Sequence, residues 1–143
     1  MYDAYPARLK PDETGEFVVT FRDVPEALTS GADGAEAIAE AEDALFVALE
    51  GYIRAKRVIP RPSPAEAGEV MIPLSVLTAA KLLLYEEMRG AGLSKTALAS
   101  RLGVSEAAVR RLLDLGHDSR IELIDVALQQ FGKRLSVNTE QAA

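Results

Sequence analysis

The sequence predicts an α+β protein in two parts: a small antiparallel sheet covered by one long helix, then an all-helical module. Three observations point to this. Apolar residues alternate along the first third of the chain and later recur every three or four positions. A run of alternate prolines, "IPRPSPAEAG", interrupts the chain near its middle. Charge divides close to the same place. Residues 1–71 hold seven Lys/Arg and fourteen Asp/Glu, a balance of −7, whereas residues 72–143 hold nine and eight, a balance of +1. Such a split suggests modules with different partners. We expect one domain over residues 1–72, with the proline segment 60–64 inside it, and a second over residues 73–139.

In chain order, "YDAYPARLK" alternates as a strand, with Tyr5, Ala7 and Leu9 on one face. "PDETG" is a turn in which Gly15 takes positive φ. "EFVVTFR" places Phe17, Val19 and Phe21 on one face of a second strand, closing a hairpin. "VPEALTSG" is a loop with room for a short third strand. Asp33 and Glu36 then stand at the N-cap and N3 positions of a capping box. Behind them Ile38, Ala41, Leu45, Ala48, Leu49 and Tyr52 recur at helical spacing. Pro60, Pro62 and Pro64 make an extended, stiff segment, read as a spacer between modules, and "EVMI" returns as a strand. "LSVLTAAKLLLYEEMRGAG" is a helix stopped by Gly90 or Gly92. "SRIELIDVALQQFG" is another, with Ile121, Ile124 and Leu128 on one face and Gly132 as its stop. "KRLSVN" is expected as a short terminal strand.

Composition excludes several chemistries. The chain has no Cys, hence no disulfide or thiolate metal site, and its one His, His117, excludes any site built on two imidazoles. Apolar residues at 48% and charged residues at 27% suit a globular protein with a real core. "MYDAYPARLK" lacks an apolar leader, and no stretch approaches the ~18 uninterrupted apolar residues of a membrane span. A cytoplasmic protein needing no cofactor or metal is expected.

The stretch Leu93 to Leu113, "LSKTALASRLGVSEAAVRRLL", carries the sharpest motif. Counted from Lys95, residues Leu98, Leu102, Val104, Val109 and Leu112 fall where a helix-turn-helix buries apolar side chains. Ala99 falls where the two helices cross closely, and Gly103 falls in a turn that requires positive φ. Ser94 and Ser105 are good N-caps, one for each helix. The second helix would present Ser105, Glu106, Ala107, Arg110 and Arg111 to DNA. Arginine can bridge guanine O6 and N7 or hold phosphate, and glutamate can accept from cytosine N4. Lys95 opens the supporting helix where glutamine is more usual; lysine also suits a phosphate. A plain helical hairpin with solvated arginines is the competing reading.

With both halves in view, the chain resembles the HicB antitoxins of bacterial type II toxin–antitoxin pairs. The matching pieces are the tyrosine-rich opening strand, "GEFVVTF", "DVPEALTSGAD" leading into the acidic helix, and "VMIPLSVLTAAKLLLYEEMR" at the join. "PEA" after Val24 departs from the glycine and cysteine often found there. The resemblance implies a partial, non-catalytic ribonuclease H-like N-terminal domain that caps HicA, a small basic toxin cleaving mRNA. It also implies a C-terminal domain that binds the operator of its own operon, and a homodimer or higher homo-oligomer. Some relatives carry a ribbon-helix-helix instead; Gly103 and four helices favour the helix-turn-helix.

An acidic domain can compete for the phosphate-holding surface of such a toxin and steer its approach. Glu36, Glu40 and Asp43, on the polar side of the long helix, are the candidate toxin contacts. Two rivals stand beside this reading. One is a two-metal nuclease, which needs three or four converging carboxylates; Asp3 is a candidate, but Asp12 and Glu13 sit in a turn and His117 in a distant loop. The other is a stand-alone transcription regulator whose N-terminal domain senses a small molecule.

Overall fold

The structure is a computed structural model and describes residues 2–142. Four strands, β1 (Ala4–Pro11), β2 (Phe17–Thr20), β3 (Leu28–Gly31) and β4 (Glu69–Pro73), form one antiparallel sheet in the order β3-β2-β1-β4. The helix α1 (Gly34–Arg54) lies across one face. Four further helices follow: α2 (Val76–Ala91), α3 (Lys95–Leu102), α4 (Glu106–Leu113) and α5 (Ile121–Gln129).

The alternation in the first strand places its expected face inward, although Pro6, between Tyr5 and Ala7, is buried as well. Tyr5 and Ala7 are fully buried beneath α1, with Leu9 half-buried at the strand's far end. Val19 of β2 and Ile72 of β4 continue the same layer, since Leu9 pairs with Val19 and Tyr5 with Ile72. Asp33 caps α1 as expected, its Oδ1 accepting the Glu36 amide at 2.8 Å; the Glu36 Oε2 reaches back to the Ala32 amide at 2.8 Å, one residue ahead of the usual capping-box donor. The buried stripe of α1 is Ala37, Ala41, Leu45, Leu49 and Tyr52. Ile38 and Ala48, expected on it, are half-buried, and Ala37 takes the centre. Gly31 is the reason. A Cβ at Gly31 would lie 2.4 Å from the Ala37 nitrogen, so strand and helix meet there backbone to backbone.

The proline segment is extended but is no spacer. Its carbonyls and amides are tied to the sheet: the Tyr5 hydroxyl donates to the Pro60 carbonyl at 2.6 Å, and the Ser63 amide and hydroxyl donate to Asp23 at 2.7 and 2.8 Å. Arg22 donates to the Pro64 carbonyl at 2.6 Å and grips Glu69 with two nitrogens at 2.9 and 3.0 Å. That fork, with the Glu66 amide beside it, holds the Glu69 carboxyl down at about 2. Proline lacks an N–H, so this stretch leaves carbonyls to be satisfied, and side chains of β1 and the β2–β3 loop supply donors. The chain passes through the segment into β4, which pairs with β1; a fragment ending before Glu69 would lose an edge strand.

The helical part is docked on this layer through α2. The Tyr2 hydroxyl donates to Glu86 at 2.7 Å, Arg61 meets the same carboxylate at 2.6 Å, and the Tyr85 hydroxyl donates to the Arg57 carbonyl at 2.8 Å. Burial pushes both tyrosine hydroxyls above their ordinary range, and for Tyr2 the Glu86 carboxylate adds to it. Gly92 and Gly132 close helices with positive φ, as expected. Residues 133–138 form no strand. Among the described residues no strand pairs with them; the Leu135 amide instead donates to Asp125 at 2.8 Å and Lys133 pairs with Glu87 at 2.8 Å.

Replacing Gly31 with Ala is expected to destabilise the fold by about 1–3 kcal/mol, because backbone on both sides of the contact must move. Urea unfolding checks this; a loss below about 0.5 kcal/mol would show that the contact yields freely.

Candidate nucleic-acid interface and acidic face

The stretch from Leu93 to Leu113 folds as two short helices joined by a tight turn. The Ser94 hydroxyl accepts the Ala97 amide and the Ser105 hydroxyl accepts the Ala108 amide, both at 3.1 Å. Gly103 has φ 68°, a left-handed value that suits glycine. Leu98, Ala99, Val109 and Leu112 are buried and Leu102 half-buried, as their spacing predicts. Val104 departs from the expectation: it is 45% exposed. It follows the left-handed glycine, and the turn carries its side chain out of the hairpin. Leu115, just past α4, is buried in the same core.

On the outward side of α4, Ser105, Glu106, Arg110 and Arg111 are exposed and Ala107 is half-buried; Lys95 is exposed at the start of α3. Arg110 meets Glu106 across one turn at 3.3 Å. Pairs of this kind contribute about 0.3–0.5 kcal/mol, so a phosphate or base edge could draw the guanidinium away. Among the described residues neither Arg111 nor Lys95 makes an ion pair.

One residue near this surface was missed by sequence reasoning. Lys81 on α2 is fully buried, its ammonium donating to the carbonyls of Arg111 and Asp114 at 2.8 and 2.7 Å and to the Ser119 hydroxyl at 2.7 Å. Burial lowers its pKa, while Asp114 and Asp118 pull the other way. The signal was a lysine inside the apolar run "AAKLLLY", at helical spacing from Leu77, Leu84, Tyr85 and Met88. His117 belongs to the same cluster, its Nδ1 2.9 Å from the Ser119 hydroxyl.

The acidic candidates separate. Glu40 and Asp43 line a shallow groove of about 600 Å³ between α1 and the β3 edge, alongside the apolar Leu28 and Val47. Glu26 closes one end, accepting from the Tyr52 hydroxyl at 2.6 Å and from Arg57 at 3.0 Å; these donors hold its carboxyl below the usual range. Glu36 lies a turn earlier, spent partly on the helix cap. The acids weighed as metal ligands do not converge. Asp3 is exposed, and Asp12 accepts from Thr14 and Glu16 inside its own turn. Among the described residues no three acidic or imidazole side chains could hold a metal ion, and no helix is long and apolar enough to cross a membrane.

Residues 4–83, the sheet, α1 and the first half of α2, match the family described as HicB_like antitoxin of bacterial toxin-antitoxin system. The chain belongs to this HicB-like antitoxin family. The likeness extends past residue 83 into the helices. The chain is 38% identical over 136 residues to Antitoxin HicB 1 of Photorhabdus laumondii, covering 95% of this chain and 86% of that one. It is 40% identical over 133 residues to Antitoxin HicB 2 of the same organism, covering 93% and 94%. It is 35% identical over 133 residues to Antitoxin HicB of Escherichia coli K12, covering 93% and 96%. In this chain the family match covers the sheet, α1 and the first half of α2; α4 and α5 pack against α2, and α3 packs against α4.

The serine caps set the start of α3 and α4, so Ser105→Ala is expected to destabilise the fold by about 1 kcal/mol. Ser100→Ala, exposed on α3, should change stability by less than about 0.5 kcal/mol. Thermal unfolding separates the two; equal effects would mean that the Ser105 cap is not needed.

Proposed function

We propose that this chain is the antitoxin of a two-protein pair. It binds and neutralises a small, basic, mRNA-cleaving toxin of the HicA type, and it represses its own operon by binding operator DNA. The single observation that carries the reading is the match of nearly the whole chain, sheet and helices alike, to proteins named HicB antitoxins. Residues 1–72, a partial ribonuclease H-like layer without catalytic role, serve the toxin. Residues 73–139 serve DNA, with α3 and α4 used as a helix-turn-helix.

The charge division supports this assignment. A toxin that holds mRNA must present cations, and the groove beside α1 offers Glu40 and Asp43 around exposed Leu28 and Val47. Acid at the rim steers encounter and apolar surface at the centre adds burial. On the other side, Arg110 and Arg111 on α4, with Lys95, Ser105, Glu106 and Ala107, form the DNA face. A single short recognition helix buries little surface, so binding needs a homodimer or higher oligomer, with two such helices about 34 Å apart reading a palindrome. Leu123 and Val126, exposed on α5, offer apolar surface for that association.

Charge reversal tests the division. Glu40→Lys with Asp43→Lys is expected to weaken the toxin complex roughly tenfold or more and to abolish protection of growth, leaving operator binding intact. Arg110→Ala and Arg111→Ala are each expected to lose roughly 1–3 kcal/mol of operator binding and to keep protection. Loss of protection with the arginine variants would refute the two-face assignment.

A further inference from the structure

We infer that Lys81 is the positioning residue of the DNA face: its buried ammonium fixes the end of α4 and the turn after it, and so sets the angle at which Arg110 and Arg111 meet the duplex. The inference rests on the reading of α4 as the DNA-contacting helix and goes beyond it, because Lys81 is fully buried and touches no outer surface.

An ammonium has three N–H donors, and each is used. Two go to main-chain carbonyls, Arg111 at 2.8 Å and Asp114 at 2.7 Å, and one to the Ser119 hydroxyl at 2.7 Å. The last carbonyls of a helix have no partner inside it and carry its negative pole, so a cation there answers both needs. Ser119 completes the link, donating to the Arg111 carbonyl at 3.2 Å while it accepts from Lys81. The Arg111 carbonyl thus takes both side-chain donors beside the Asp114 amide, which reaches it at 3.3 Å. Among the described residues no carboxylate lies within ion-pair distance of Lys81; its direct partners are main-chain and hydroxyl oxygens, with Asp114 and Asp118 favouring the charge from farther off. A buried cation is a costly way to fill space, and an apolar side chain of similar length would pack with less desolvation. What methionine cannot do is donate hydrogen bonds to two carbonyls and a hydroxyl on the far side of a turn. α4 otherwise rests on the core through Val109, Leu112 and Leu113, apolar contacts without direction. The three directional bonds from α2 are what turn a packed helix into an aimed one.

The test uses the full chain and two duplexes of equal length, one spanning the DNA upstream of its own gene and one of random sequence. For Lys81→Met the ratio of affinities, upstream to random, is expected to fall about tenfold or more, while toxin neutralisation and the salt dependence on random DNA stay as in the parent. A purely structural role would lower both affinities together and leave the ratio alone. Should Lys81→Met not fold, Ser119→Ala keeps the lysine and removes one of its acceptors; the expected loss in the ratio is about threefold. A ratio unchanged in every folded variant overturns the role of Lys81. A parent chain that does not prefer the upstream duplex overturns the DNA reading and this inference with it.

Discussion

The helix α2 has to satisfy two neighbours at once, and the rest of the molecule is arranged around that constraint. Its sixteen residues span about 24 Å. On one side Tyr85 and Glu86 bond the layer below, through Arg57, Tyr2 and Arg61; on the other Lys81 bonds the end of α4. Neither set tolerates sliding, because a shift that frees the Lys81 ammonium leaves a charge buried without partners, at a cost of several kcal/mol. Among the described residues no buried side-chain nitrogen or oxygen lacks a partner, so the join holds no polar slack. The sheet layer and the α3–α5 helices therefore sit on one frame, and the segment between α1 and β4, stitched down by Tyr5, Asp23 and Arg22, belongs to that frame rather than bridging it.

This changes how an acidic protein would meet DNA. With a flexible spacer, the acidic layer could drift away from the duplex. Here it is docked, and repulsion must be limited by where the acids point. Several are neutralised in place: Glu69 by Arg22, Glu26 by Arg57, Glu86 by Arg61. The acids left without such partners include Glu40 and Asp43, gathered beside the groove along α1, where a cationic protein rather than a polyanion would be welcome. At physiological salt, charges more than about 8 Å away are largely screened, so a DNA face need only be clear of acid locally. Within α4 the acid Glu106 is occupied by Arg110, while exposed Asp114 and Asp118 lie just beyond its C-terminal end, away from its Ser105 start.

Much of this was legible in the sequence, and the legible part is local. Asp33, Ser94 and Ser105 act within three residues of themselves, Gly103 and Gly92 within one turn, and the alternation of Tyr5 and Ala7 within one strand; each follows from backbone rules that do not depend on distant partners. The exposed positions of α4 were legible for the same reason, since amphipathic spacing separates Val109 and Leu112 from Arg110 and Arg111. What was not legible depends on contacts far along the chain. Lys81 is bonded to residues 30 to 38 positions away. The prolines look like a linker until Tyr5 and Asp23 are folded against them. Ala37 rather than Ile38 faces the sheet because Gly31 approaches there, and "KRLSV" finds no strand to pair with. Val104 sits one step after a left-handed residue, where a spacing rule carries over the turn and points the wrong way.

The proposed toxin encounter depends on acid meeting base across the N-terminal face. The most direct test is the rate at which the full chain associates with the small basic toxin proposed as its partner, followed by stopped-flow as NaCl rises from about 50 to about 500 mM. Steered by opposite charge, that rate is expected to fall roughly tenfold or more across the range, with the dissociation rate changing much less. An association rate indifferent to salt would contradict the account, because the surplus of acid in residues 1–71 would then serve solubility and not the partner.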